Sequence, residues 1–111
     1  MADDGEWNRK GAVLSDVTAQ RDYAVSRDFI VRGVQAGQLD YREASSWGNP
    51  GLRFLRSQLE RYIVAQLGPE HLASIKARTE LRAVVKEIAG IRRKLVVLEA
   101  RKAELERAVG T

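Results

Sequence analysis

The chain contains no cysteine. That excludes disulfides, thiolate zinc sites and a cysteine nucleophile, and it fits a reducing compartment. It has a single histidine, His71, with no neighbour in the sequence at metal or acid–base spacing. No apolar run approaches the roughly 20 residues needed to cross a bilayer. The N-terminal MADDGEWNRKG lacks the apolar stretch of a signal peptide. A cytoplasmic protein without membrane association is therefore expected. Internal repeats, low-complexity segments and a phosphate-cradling glycine-rich loop ahead of a helix are also missing. The carboxylates are scattered among basic residues. No catalytic set, cofactor site or metal site emerges, and the chain is not expected to be an enzyme.

What the sequence does hold is charge and a long apolar repeat. The net charge is +4 over 111 residues. It is unevenly placed: residues 1–12 carry −1, residues 13–68 carry +1 and residues 69–111 carry +4. The basic excess thus belongs to the C-terminal third, while the middle of the chain is nearly neutral.

Residues 1–12 read as a disordered arm. Ser15 is placed to cap a short helix from Asp16 to about Tyr23, with Val17, Ala19 or Gln20, and Tyr23 as its apolar face. After Ala24, Val25 and Ser26, a second helix spans Arg27 to Ala36. It turns Phe29, Ile30, Val34 and Gly33 to one side and ends at Gly37. Leu39 to Arg42 alternates as a half-buried strand does. Glu43 to Gly51 is turn chemistry, and Leu52 to Leu55 can return as a second strand, giving a hairpin with a long tip. Ser57 and Glu60 have the spacing of a capping box for a helix that Gly68 and Pro69 stop. Tyr23, Tyr41, Phe54 and Tyr62 are read as core residues with polar tips. From Glu70 onward one long helix is expected.

The segments AVSRDFIVRGVQAGQLDYR (residues 24–42) and LRFLRSQLERYI (residues 52–63) resemble the winged helix-turn-helix of the excisionase and MerR type. There, too, a GVSR-like turn leads into a recognition helix that ends at a glycine. A hairpin wing follows, and an Arg–apolar–apolar–Arg–Ser strand opens the next helix. The resemblance covers about half the chain, roughly Asp16 to Leu67. The first helix is shorter here, the wing tip SSWGNPG is longer, and the second helix carries the acidic Asp28. The resemblance implies double-stranded DNA as partner, with Arg27, Asp28, Val31, Arg32 and Gln35 facing outward. Arg27 and Arg32 would reach guanine edges or phosphates, and Gln35 would reach adenine. Arg42 and Arg53 would flank the wing, and Trp47 at its tip would either stack on a base or fold back. Small winged-helix modules with a following coiled coil also occur as phage DNA-packaging subunits.

The C-terminal repeat is Leu81, Val84, Ile88, Ile91, Leu95, Leu98, Leu105 and Val109, a period of 3.5 that makes one seam along a helix. A lone helix cannot bury it. Leu81, Ile88, Leu95, Lys102 and Val109 take heptad position a. Ala77, Val84, Ile91, Leu98 and Leu105 take position d. In a parallel dimer the flanking residues pair as Glu87–Arg92, Lys94–Glu99 and Arg101–Glu106, all of opposite sign, and Lys102 favours two strands. The charge pairs point to a parallel pair, whereas MerR-type coiled coils are antiparallel. Gly90 weakens the helix and Val85 widens the stripe.

The expected fold is mainly α: a winged helix-turn-helix over residues 13–68 and a dimerising coiled-coil helix over 69–111. The expected function is DNA binding as a homodimer, regulatory (transcription) or DNA-architectural, with half-sites roughly 34 Å apart. The competing reading is a protein–protein assembly module, such as a phage-type packaging or adaptor subunit, that does not read DNA. The near-neutral charge of residues 13–68 speaks for that alternative.

Overall fold

The computed structural model describes residues 4–46 and 49–110. The protein is mainly helical, with one small antiparallel sheet and a very long C-terminal helix. This is compatible with a winged helix-turn-helix followed by a coiled-coil helix. In chain order the elements are α1 (Asp4–Trp7), β1 (Val13–Ser15), α2 (Asp16–Tyr23), α3 (Arg27–Gln35), β2 (Tyr41–Ser46), β3 (Asn49–Leu55), α4 (Arg56–Leu67) and α5 (Pro69–Gly110). Two compact units result, Met1–Ala77 and Arg78–Thr111.

The local signals act largely as chemistry demands. Ser15 and Ser26 cap α2 and α3, their side-chain oxygens accepting from the backbone N–H of Thr18 and Phe29 at 3.1 Å. Gly37 sits at φ +74°, the left-handed conformation expected just past α3. Between α2 and α3, Ala24 takes φ +51° and Val25 is buried. The core of the first unit gathers Leu14, Ala19, Tyr23, Phe29, Ile30, Leu39, Phe54, Leu59, Tyr62 and Ile63. Ile75 joins it from α5, so the compact unit extends past Gly68 into the first turns of the long helix.

Several expectations are corrected. Within the expected disordered arm over residues 1–12, the described residues 4–12 carry α1 and a turn tied to the start of α4. Arg56 donates its backbone N–H to Ala12 O at 2.8 Å and its Nε to Gly11 O at 3.0 Å, while Ser57 donates to Glu6. The strand β1 was not anticipated; it pairs with β3, giving the order β1-β3-β2. The hairpin starts later and is longer than Leu39–Arg42 and Leu52–Leu55. Ala44 pairs with Gly51, Ser45 with Pro50 and Ser46 with Asn49, so most of the supposed turn is ladder. Pro50 is tolerated because β1 reaches only Arg53–Leu55, so among the described residues no strand pairs with the other edge of β3 at that point. Tyr41 is not core but half exposed, and Val17 faces outward on α2.

The capping box does not form either. The N-cap of α4 is Leu55, with no side-chain cap. Strand β3 runs straight into the helix, and Glu60 is used elsewhere. It accepts from Tyr23 Oη at 2.5 Å and pairs with Lys76 at 3.3 Å, while Arg56 Nη1 donates to Tyr23 Oη at 2.8 Å. Burial, and then the bond to Glu60, push the Tyr23 pKa up from 10.0 to about 12 against the opposing pull of Arg56.

Candidate nucleic-acid interface and assembly seam

The rotation of α3 about its axis decides what it presents. Phe29, Ile30 and Gly33 are buried on its inner side, Phe29 with its ring centroid 4.7 Å from that of Tyr62. Gly33 is packed so closely that a Cβ there would lie 2.7 Å from Leu39 Cδ1 and 2.8 Å from Tyr62 Cε2. The outer side therefore carries Arg27, Asp28, Val31, Arg32 and Gln35, all exposed. Gln58 steadies the loop after α3: its Oε1 accepts from the Asp40 N–H and its Nε2 donates to Asp40 Oδ2, both at 2.8 Å.

The sheet separates the remaining basic residues from this face. Phe54 is registered with Tyr41 and Leu14, and Arg53 with Arg42 and Ser15. Successive side chains alternate between faces. Leu14, Tyr41, Leu52 and Phe54 thus share the side toward α3, and Val13, Arg42, Arg53 and Leu55 share the other. On that far side the Arg42 guanidinium lies 4.4 Å from the centre of the Trp7 ring, a cation–π contact. Arg53 is half-buried, its Nη1 3.4 Å from Leu52 O. The structure brings Arg27, Arg32 and Gln35 together and sets Arg42 and Arg53 apart from them. Trp47 lies outside the described residues.

Between α3 and the near face of the sheet opens a recess of about 290 Å³. Ile30, Val31, Tyr41 and Leu52 give it an apolar floor, and Arg27, Asp16 and Glu43 bring charge of both signs. Neither this recess nor Trp7 figured in the sequence reading. The alternation of Tyr41 with Arg42 was the available signal, since it puts the two on opposite faces. Among the described residues no group of three or more His, Cys, Asp or Glu is placed to hold a metal ion. No helix there is long and apolar enough to cross a membrane.

The second surface is the seam. From Leu81 to Val109 every one of its apolar side chains is between 43% and 83% exposed, and Ile75 is the buried residue of α5. Val85 is exposed beside it, and Val96 and Val97 are exposed on the opposite face of the helix. The stripe runs exposed from Leu81 to Val109 and is broken once along the seam, by Lys102. Compared with known proteins, the chain matches no family model, no curated protein and no solved structure.

Proposed function

We propose that the protein binds double-stranded DNA as a homodimer, its first unit acting as a winged helix-turn-helix of the excisionase/MerR type in a regulatory or architectural role. It works in the cytoplasm, without catalysis or cofactor. The observation that carries this reading is the outward face of α3. A serine-capped helix, following a tight turn, holds Arg27, Arg32 and Gln35 exposed while its inner face is fixed by Gly33, Phe29 and Ile30. Arginine and glutamine at such positions suit base edges and phosphates in the major groove. Two copies joined through the seam would put two such helices on one duplex. The geometry favours α3 over Arg42 and Arg53 as the contact, because Trp7 occupies Arg42 on the far side of the sheet.

The test is a duplex-binding selection from random DNA at moderate salt, followed by anisotropy titrations. Binding should weaken steeply as salt rises. Arg27→Ala and Arg32→Ala should each cost about 1–3 kcal/mol if the residue reads a base edge. Affinity unchanged in both variants removes α3 from the interface.

A second reading, a protein–protein assembly module of the packaging or adaptor kind, is favoured by the recess beside α3. Its floor is apolar, and Asp16, Glu43 and the nearby Asp28 are ill suited to a phosphate backbone. Tyr41→Ala separates the two: it would weaken capture of a protein partner seated in the recess while leaving DNA affinity close to that of the unaltered chain.

A further inference from the structure

Taking the homodimer proposed above as given, we infer that its two α5 helices lie parallel and in register, each seam residue meeting its own copy.

Flanking charge alone does not choose the orientation. In the parallel arrangement Glu87–Arg92, Lys94–Glu99 and Arg101–Glu106 each form twice across the pair. One antiparallel alignment does as well. With Leu81 opposite Leu98, Ile88 opposite Ile91 and Leu95 opposite Val84, the flanking pairs become Glu80–Arg101, Glu87–Lys94 and Arg78–Glu99. Each again occurs twice and none is repulsive.

Apolar burial and charge together choose. The antiparallel register that covers the whole seam, with Leu81 opposite Leu105 and Ile88 opposite Leu98, sets Lys94 against Lys94 and Arg92 against Arg92, and the charge-matched antiparallel alignment loses apolar cover. In parallel register the seam is covered from Leu81 to Val109, and its single polar break is Lys102 facing itself. A lysine there extends its stem along the seam and carries its ammonium out to water. In the charge-matched antiparallel alignment Lys102 faces Ala77, but Leu105 then faces Ser74 and Val109 faces Glu70. Those positions belong to the opening turns of α5, where Leu72 and Ile75 are already committed to the core of the first unit. Four large apolar side chains, 47% and 83% exposed in each single chain, would gain only polar neighbours. Gaining one comfortable lysine site does not offset that loss.

Because the chain has no cysteine, one introduced cysteine reports the geometry. Val109→Cys in the full chain, carrying a nitroxide label, is measured by pulsed dipolar spectroscopy alongside sedimentation of the unlabelled variant. Parallel, in-register helices place the two labels within about 20 Å, allowing for the linkers and a helix about 10 Å across. The charge-matched antiparallel alignment puts each Val109 beside the partner's Glu70 and separates the labels by about 58 Å, from a rise of 1.5 Å per residue. A dimer with the long distance, or with an intermediate one from a shifted register, overturns the inference while leaving the dimer intact. A single-chain mass with no inter-label distance overturns the dimer itself. Leu105→Cys, disulfide-linked under mild oxidation, provides the second measurement. A self-linked dimer is expected, and a link formed only with added Ser74→Cys chain overturns the parallel pairing.

Discussion

The same substitution, glycine to alanine, should have opposite effects at two positions of this chain. In a helix interior alanine is better than glycine by about 0.8–1.0 kcal/mol, because glycine loses more backbone entropy on folding. At Gly90 the nearest atom to an added Cβ is Arg93 Nη2 at 3.8 Å, the far end of a movable side chain. Gly90→Ala should keep the whole gain. At Gly33 the added carbon meets Leu39 Cδ1 at 2.7 Å, Tyr62 Cε2 at 2.8 Å and Leu39 Cγ at 3.0 Å. Leu39 is 3% and Tyr62 6% exposed, and the Tyr62 ring is held against Phe29, so neither has an open side to move into. Overpacking a site of this kind costs about 1–3 kcal/mol, which exceeds the propensity gain. A net loss near 1 kcal/mol should lower the melting temperature of the first unit by about 4–8 °C. Trp7, half-buried under the Arg42 guanidinium in that unit, gives a fluorescence signal that follows its unfolding. Circular dichroism at 222 nm is dominated by α5 and follows Gly90→Ala. The variants must be compared at one protein concentration, since association shifts apparent stability. A Gly33→Ala variant stabilised as much as Gly90→Ala would refute the close packing that fixes the rotation of α3.

Other consequences are open to simpler assays. Tyr23, with its pKa raised from 10.0 to about 12, should ionise late in an absorbance titration, and Tyr23→Phe should remove that late step. Its raised value means the unfolded chain releases that proton first, so stability is full below pH 10 and declines as pH climbs toward 12; Tyr23→Phe should flatten this dependence, and an unchanged alkaline slope would contradict the assignment. Leu95→Asp combined with Leu98→Asp should give single chains by sedimentation, whereas a persistent dimer would move the interface off the seam. Arg42→Ala should reduce the stability of the first unit by about 0.5–1 kcal/mol through loss of the Trp7 contact. The same variant should leave DNA affinity close to that of the unaltered chain, and a large drop in affinity would return Arg42 to the interface.

Where a residue's role is decided by its immediate neighbours, the sequence was readable. The serine caps, Gly37, the outward set on α3 and the seam depend on helical periodicity and on bonds spanning three or four residues. What escaped was decided at long range. Strand β1 exists because Val13–Ser15 finds Arg53–Leu55, some 40 residues away, and three residues carry too little pattern to announce that. The Ser57–Glu60 spacing is a sound local signal that lost to tertiary partners: Glu6 took the serine, and Tyr23 and Lys76 took the glutamate. Polar, glycine-containing residues suggested a loop over Glu43–Gly51, yet backbone pairing, which is indifferent to side chains, extended the hairpin through most of it. The candidate DNA set divided for a related reason. Helix periodicity sufficed to put Arg27 and Arg32 on the outward side of α3, but which side of a strand faces the helix depends on the register of three strands.

Leu55 is fully buried yet stands outside the main cluster of core residues, on the sheet side that Trp7 and Arg42 share. The opening segment of the chain, stitched to Arg56 and Ser57, is therefore the back wall of the first unit. Arg9 and Lys10 are exposed within that wall. A single tryptic nick there would release the residues before it, wet Leu55 and loosen Arg42 in one step. Residues 9 and 10 are thus a sensitive place to read the unit's integrity.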